Sequence, residues 1–391
     1  MQINGTQSRA RRALIIQTYV PHYRKPFFDG LRSFLGEQGI QLDLLYGDPP
    51  PSARAKSDAA EVSWAKYKPN HYVKLGGRFL VYQPGLWLAL SSDLVIVEQA
   101  NKLLLNPILL LLNAFGLVRL AYWGHGKNFQ ATDGAISRVI KSVLLTRVHW
   151  WFAYNELSAA IVKARGFSNE RTTSVMNTIE ARNLEDDLAS IDAEALDQYR
   201  RKLGIRGRNT CVFIGGMYKE KRLPFLLECC EAVRSQVEDF EILFLGGGED
   251  RAIVDEFAKR NSWAVAFGPA FDRDKALALK TSKLLLMPGL VGLAIIDGFA
   301  AEVPIVTTAF PLHSPEIDYL VDGVNGIMVS SADDTIAFSD AIVQALNDPV
   351  KLATLRQGCR ASKENYSMER MIWRFGHGIL AALQKRSSAR S

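Results

Sequence analysis

The sequence predicts two α/β domains, each a doubly wound parallel sheet with helices on both faces. Short apolar runs alternate with helical or loop segments in both halves, as expected of strands buried on both faces. A charged stretch without such runs separates the halves. The 391 residues, 48% apolar and 23% charged, are enough to bury two cores of ordinary domain size.

In the first half the strand candidates are ALIIQTYV (13–20), QLDLLYG (41–47), DLVIVEQ (93–99), VRLAYWG (118–124) and HWWFAYN (149–155). TCVFIGG (210–216), EILFLGG (241–247), WAVAFG (263–268), KLLLMPG (283–289) and PIVTT (304–308) follow in the second. The charged stretch between them places a hinge near Asn177 to Glu185. The expected division is 1–180, 181–368 and a tail over 369–391, an amphipathic helix ending in a polar, frayed segment.

The cysteines, Cys211, Cys229, Cys230 and Cys359, have neither metal-ligand spacing nor a disulfide framework, which favours a reducing cytosol. The N-terminus shows no cleavable signal pattern, so a cytoplasmic protein is expected. The most apolar window, Leu103 to Val118, is broken by Asn106, Pro107 and Asn113. It is shorter than the roughly 20 apolar residues a spanning helix needs, and a buried or surface-docked helix is expected.

Net charge is +6. Residues 101–167 hold Lys102, Arg119, Lys127, Arg138, Lys141, Arg147, Lys163 and Arg165 against Asp133 and Glu156, a local surplus equal to that of the whole chain. Beside apolar helices, such a segment suits anionic lipid headgroups at the inner face of the plasma membrane or a pyrophosphate-linked acceptor; a solvated basic face without a partner is the alternative. No helix-turn-helix, zinc or aromatic RNA-binding signature accompanies the charge, which argues against nucleic acid.

Open sheets of this kind bind ligands at the carboxyl ends of their strands. The turn after Val20, PHYRKPFF, has no glycine, so it is not a dehydrogenase fingerprint, and no GK[ST] phosphate loop occurs. The informative stretch is LLLMPGLVGLAIIDGFAAEVPIVTT, from Leu284 to Thr308. Its strand, glycine-punctuated loop, small-residue helix and second strand suit an anionic ligand, because glycines let backbone N–H groups approach a phosphate and the helix beginning near Leu293 adds its dipole.

FIGGMYKEKRLPFLLE, LFLGGGED and MPGLVGLAIIDGFAAEVPIVTT, in that order over about 130 residues, resemble the nucleotide-sugar domain of GT-B glycosyltransferases, specifically glycosyltransferase family 4, in a variant branch with a PGxVGL donor loop. YWGHGKN is similar to the family's histidine segment. The resemblance implies two Rossmann-like domains facing across a cleft, the N-terminal one for the acceptor and the C-terminal one for the donor. It also implies that the final helix returns to the N-terminal domain.

On this resemblance Lys221, six residues after Gly215, would meet the donor diphosphate and stabilise charge as the nucleotide leaves; a plain surface lysine is the competing reading. The amides of Val291, Gly292 and Leu293 would cradle phosphate or hold the sugar. Asp297 takes the place of the family's second glutamate, on the ribose hydroxyls. The backbone around Pro269 to Phe271 would contact the base. The family often has arginine where this chain has Gly216, with Lys219 or Arg222 as substitutes, and a first glutamate where it has Gly289. His125 would support the sugar, while His22, Tyr23, Arg24, Glu98 and Tyr154 are acceptor-side candidates.

No metal or cofactor is expected. The Asp272 and Asp274 pair in FDRD reads as a helix start. The resemblance implies a hexosyl-type, retaining, metal-independent transferase moving sugar from a nucleoside diphosphate sugar to a hydroxyl of a glycan acceptor. The acceptor would be lipid-linked, in cell-surface polysaccharide or lipopolysaccharide assembly. A GT-B sugar-nucleotide 2-epimerase and a non-catalytic partner subunit at the membrane are the alternatives.

Overall fold

The computed structural model describes residues 9–50, 59–75, 78–126 and 146–385. The chain divides into two compact units, one running up to Asn177 and resuming at Met368, the other Thr178–Ser367.

The first unit contains β1 (Arg11–Ile16), β2 (Ile40–Tyr46), β3 (Lys66–Tyr67), β4 (His71–Leu75), β5 (Arg78–Tyr82), β6 (Leu94–Glu98), β7 (Leu120–Gly124), β8 (Trp150–Ala153) and β9 (Thr172–Ser174). Its main sheet is parallel, in the order β3-β2-β1-β6-β7-β8-β9. β4 and β5 form a separate antiparallel hairpin. Both faces of the sheet are buried: Ala13, Ile15 and Ile96 face one cluster, Leu14, Val95 and Val97 the other. That two-sided burial is why the strands read as unbroken apolar runs rather than alternating ones.

The final helix, Met368–Gln384, belongs to this unit. Met371, Phe375, Ile379 and Ala382 recur at helical spacing and are fully buried in the core that also holds Phe27, Phe28 and Phe152. Phe375 stacks on Phe152 with centroids 4.3 Å apart. His149 Nε2 hydrogen-bonds Ala382 O at 2.8 Å, and Arg119 Nη1 donates to Leu383 O at 3.1 Å.

The second unit contains β10 (Asn209–Ile214), β11 (Phe240–Leu245), β12 (Ala264–Gly268), β13 (Leu284–Leu286), β14 (Ile305–Thr308) and β15 (Gly326–Val329). They form a parallel sheet in the order β12-β11-β10-β13-β14-β15. The four cysteines are free and buried.

In each sheet the strand order reverses at one place. It lies between β1 and β6 in the first unit and between β10 and β13 in the second. In open sheets of this kind the loops at the carboxyl ends of the strands beside such a reversal are where ligands bind. All ten predicted strands are present, with boundaries shifted by a few residues; β1 ends at Ile16, short of the expected Val20.

The window Leu103 to Val118 contains the helix Leu105–Ala114. Its asparagines tie it down: Asn106 Nδ2 donates to Glu98 O at 2.9 Å, and Asn113 accepts from Leu120 N and donates to Arg147 O, each at 2.9 Å. Among the described residues no helix is long and apolar enough to cross a membrane.

Candidate functional site

The second unit's switch point is flanked by the loops after β10 and β13. After β10 the chain passes through Gly215 and Gly216 into a 3-10 turn at Lys219–Lys221 and then the helix Leu223–Gln236. After β13 it passes through Pro288 to Leu293 into the short helix Ala294–Ala300. The two loops are joined directly. Leu290 N donates to Glu220 O at 2.8 Å, and Lys221 Nζ donates to Leu290 O at 2.6 Å.

Gly289 makes that approach feasible. A Cβ on it would lie 2.2 Å from Glu220 O and 2.7 Å from Lys221 C, inside any real contact distance. The absent glutamate is therefore a packing requirement of this loop: only hydrogen fits where the main chains of 220–221 and 289 meet. Gly246, in the glycine turn after β11, is held similarly, with Gly215 O 1.9 Å from where its Cβ would be.

Lys221 is 6% exposed. Burial pushes its ammonium down to about 8, since charge is disfavoured away from water. Its one hydrogen bond among the described residues goes to a carbonyl, the Tyr218 ring centroid lies 5.6 Å away, and no described carboxylate forms an ion pair with it. An ammonium has three donors, so the geometry leaves Lys221 able to bind an anion. The N–H groups of Gly292 and Leu293 have no acceptor among the described residues.

Other predicted donor contacts are arranged differently. The amide of Val291 is occupied, donating to His313 Nδ1 at 3.0 Å. Asp297 is 8% exposed and its Oδ1 pairs with Lys275 Nζ at 2.9 Å, leaving Oδ2 with no partner among the described residues. Arg222, expected as a substitute phosphate ligand, instead bonds Ala332 O and pairs with Asp333 at 2.6 Å. Its guanidinium packs over Phe225 and Phe310, at 4.4 and 5.5 Å from the ring centroids. Lys219 and Gly216 are exposed, and a Cβ on Gly216 would lie 2.8 Å from the Tyr218 ring. Pro269 is exposed, and Phe271 presents a ring 74% exposed beyond the end of β12. Asp272 and Asp274 occupy the first turn of the helix Asp272–Thr281, as the sequence implied.

In the first unit, His125 follows β7 and Tyr154 follows β8. Their rings meet edge to face, centroids 3.9 Å apart. Arg24 is 6% exposed, with its guanidinium 5.0 Å from the Trp123 centroid and 5.9 Å from that of Tyr154. Burial, with the Arg24 cation, pushes the His125 imidazole down to about 4, so it is neutral near pH 7.

Arg24 donates to Asn177 Oδ1, and Glu98 Oε2 accepts from Thr18 Oγ1 at 2.6 Å and Thr18 N at 3.2 Å. Both are acceptor-side candidates, and these bonds engage one carboxylate oxygen of Glu98 and part of the Arg24 guanidinium within the protein. His22 and Tyr23 are exposed on the 3-10 turn His22–Arg24.

Of the basic segment 101–167, Lys127, Asp133, Arg138 and Lys141 lie outside the described residues. Arg119 and Arg165 are engaged with Leu383 O and Gly126 O, whereas Lys102, Arg147 and Lys163 are exposed. Sequence reasoning missed His313 and Lys275, each 22 residues from its partner in the chain and on a different element. Among the described residues no group of three or more His, Cys, Asp or Glu side chains is placed to hold a metal ion.

Residues 208–348 match the family of glycosyl transferases group 1. No curated protein sequence matches the chain. Among solved structures, Alr3699/HepE of Anabaena, in complex with UDP, is similar with a TM-score of 0.68 and 12% identity, over 95% of this chain and 99% of that one. A glycosyltransferase from Rickettsia africae gives 0.67 and 13%, over 97% and 100%. A putative UDP-N-acetylglucosamine 2-epimerase from Listeria monocytogenes gives 0.61 and 12%, over 96% and 97%. The fold of the chain is thus GT-B, two Rossmann-like α/β domains, a framework seen in a transferase and in a putative epimerase alike.

Proposed function

We propose that the protein is a retaining glycosyltransferase of family 4 type, in the branch with a PGxVGL donor loop, that takes a nucleoside diphosphate sugar as donor. The observation that carries this is Lys221, a buried ammonium bonded to one carbonyl at the switch point, inside the segment that matches glycosyl transferases. The UDP held by the Anabaena neighbour supports a nucleotide at this switch point. Lys221 and the amides of Gly292 and Leu293 bind the diphosphate, Asp297 Oδ2 accepts from a ribose hydroxyl, and Phe271 with Pro269 flanks the base.

In the transfer the bond from the sugar's anomeric carbon to the diphosphate oxygen breaks. The acceptor oxygen bonds that carbon from the same face, and its proton passes to the departing phosphate. Lys221 stabilises the charge left on the diphosphate, a task it performs without a metal ion. His125, with Tyr154 behind it, serves as a neutral hydrogen-bonding group for a sugar hydroxyl, and His22 and Tyr23 meet the acceptor.

The acceptor is a lipid-linked glycan of cell-surface polysaccharide assembly, met at the cytoplasmic face of the membrane. An apolar surface on the first unit supports this: Trp87 is 83% exposed, Leu111 59%, Phe115 73% and Leu117 62%. Exposed Lys102 precedes the helix Leu105–Ala114 that carries Leu111, and the carbonyl of exposed Arg147 accepts from Asn113 of that helix.

The test is thermal unfolding with UDP, GDP, ADP, CDP and TDP, for wild type and Lys221→Ala, each with and without EDTA. Stabilisation by one nucleotide, lost in the variant and insensitive to EDTA, supports the reading. No stabilisation by any nucleotide favours the non-catalytic subunit. The epimerase reading, which the Listeria neighbour keeps in view, predicts conversion of the donor sugar without an acceptor.

A further inference from the structure

We infer that His313 is a positioning residue of the anion-binding loop, holding Val291 so that the Gly292 and Leu293 amides are presented to a diphosphate. The inference rests on the donor-site reading above. His313 lies beyond β14, and its ring bridges two main-chain groups. Nδ1 accepts from Val291 N at 3.0 Å, and Nε2 bonds Thr308 O at 2.8 Å.

Those partners fix the tautomer. A backbone N–H only donates and a carbonyl only accepts, so Nδ1 is bare and Nε2 carries the hydrogen. Ser314 N donates to Val291 O at 3.0 Å, so residues 313–314 hold both main-chain polar groups of Val291. Leu290 is held from the other side, its N–H by Glu220 O and its carbonyl by Lys221 Nζ. The loop is thereby strapped on both flanks just before its unengaged amides.

The ring is itself braced. Phe310 meets it edge to face at 5.9 Å between centroids, and the Arg222 guanidinium lies over Phe310. This gives Arg222 a task after its side chain is taken from the phosphate: it steadies the aromatic that seats His313.

The experiment measures inorganic pyrophosphate affinity by calorimetry, and amide exchange over 287–293, in wild type, His313→Leu and His313→Asn. Asn is the rescue, since its Oδ1 can accept from Val291 N as Nδ1 does. Far-UV circular dichroism and melting establish that each variant is folded. The expected result is affinity about tenfold weaker in His313→Leu, the scale of one lost hydrogen bond. Exchange at Val291 should rise in that variant, and both readouts should return most of the way in His313→Asn.

Equal affinity and unchanged exchange in folded His313→Leu would overturn the inference, as would Asn behaving no better than Leu. Should wild type bind no pyrophosphate, the donor-site reading fails, while exchange at Val291 still decides whether His313 holds the loop.

Discussion

Replacing Lys221 by methionine should make the unliganded protein more stable while removing its response to nucleotide. The lysine is buried, and its ammonium is pushed from 10.5 down to about 8. At about 1.4 kcal/mol per pH unit, keeping it charged at pH 7 costs the fold about 3 kcal/mol. Losing the bond to Leu290 O gives back about 1 kcal/mol. Lys221→Met should therefore gain about 2 kcal/mol, or about 6 °C in melting temperature for a unit of this size.

The pH dependence follows from the same displacement. Below pH 8 the lysine is protonated in both folded and unfolded chains, and the full cost is present. Between 8 and 10.5 the folded lysine has released its proton while the unfolded one retains it, so wild-type stability rises relative to the variant and the gap closes. Nucleotide at about 100 times its dissociation constant should add roughly 2.7 kcal/mol to wild type and little to Lys221→Met. Differential scanning calorimetry at pH 7 and 10, with and without nucleoside diphosphate, reads all three effects. A variant that melts below wild type at pH 7, with a gap that does not change by pH 10, would refute the reasoning about the buried charge.

Gly289→Ala should lower stability by about 2 kcal/mol through overpacking against Glu220 O and weaken nucleotide binding with it; chemical denaturation and calorimetric titration check this, and a neutral outcome would show that the loops separate easily. Asp297→Ala leaves the Lys275 ammonium without its partner and should cost about 2 kcal/mol, much of it recovered in Asp297→Ala/Lys275→Met; a double-mutant cycle measures the coupling. His125→Ala should lower kcat with the nucleotide-induced melting shift intact, and the wild-type kcat profile should show no histidine step between pH 5 and 8, because the imidazole there is already neutral. Stopped assays across that range decide it.

Strands buried on both faces were legible because they are continuous apolar runs. Of the elements missed, β15 is a buried apolar run of only four residues, Gly-Ile-Met-Val, and the others lack that signal. β3 has two residues, β9 is Thr-Thr-Ser, and the hairpin of β4 and β5 mixes His71, Lys74 and Arg78 into its strands. At the site, Lys221 and the glycine loop could be located because their spacing is local. Which groups are already engaged could not: Arg222 meets Asp333 across 111 residues, and His313 and Lys275 each reach across 22. Gly289 read as a missing glutamate, whereas the close approach of residues 220–221 makes it a steric requirement.

The most direct measurement is release of nucleoside diphosphate from a panel of nucleotide sugars, with and without a lipid-linked glycan acceptor, with the product anomer read by NMR. The account predicts release that depends on acceptor, matches glycan extension one for one, keeps the donor's anomeric configuration and disappears in Lys221→Met. An epimerised sugar formed without acceptor, or an inverted anomer in the product, would contradict it.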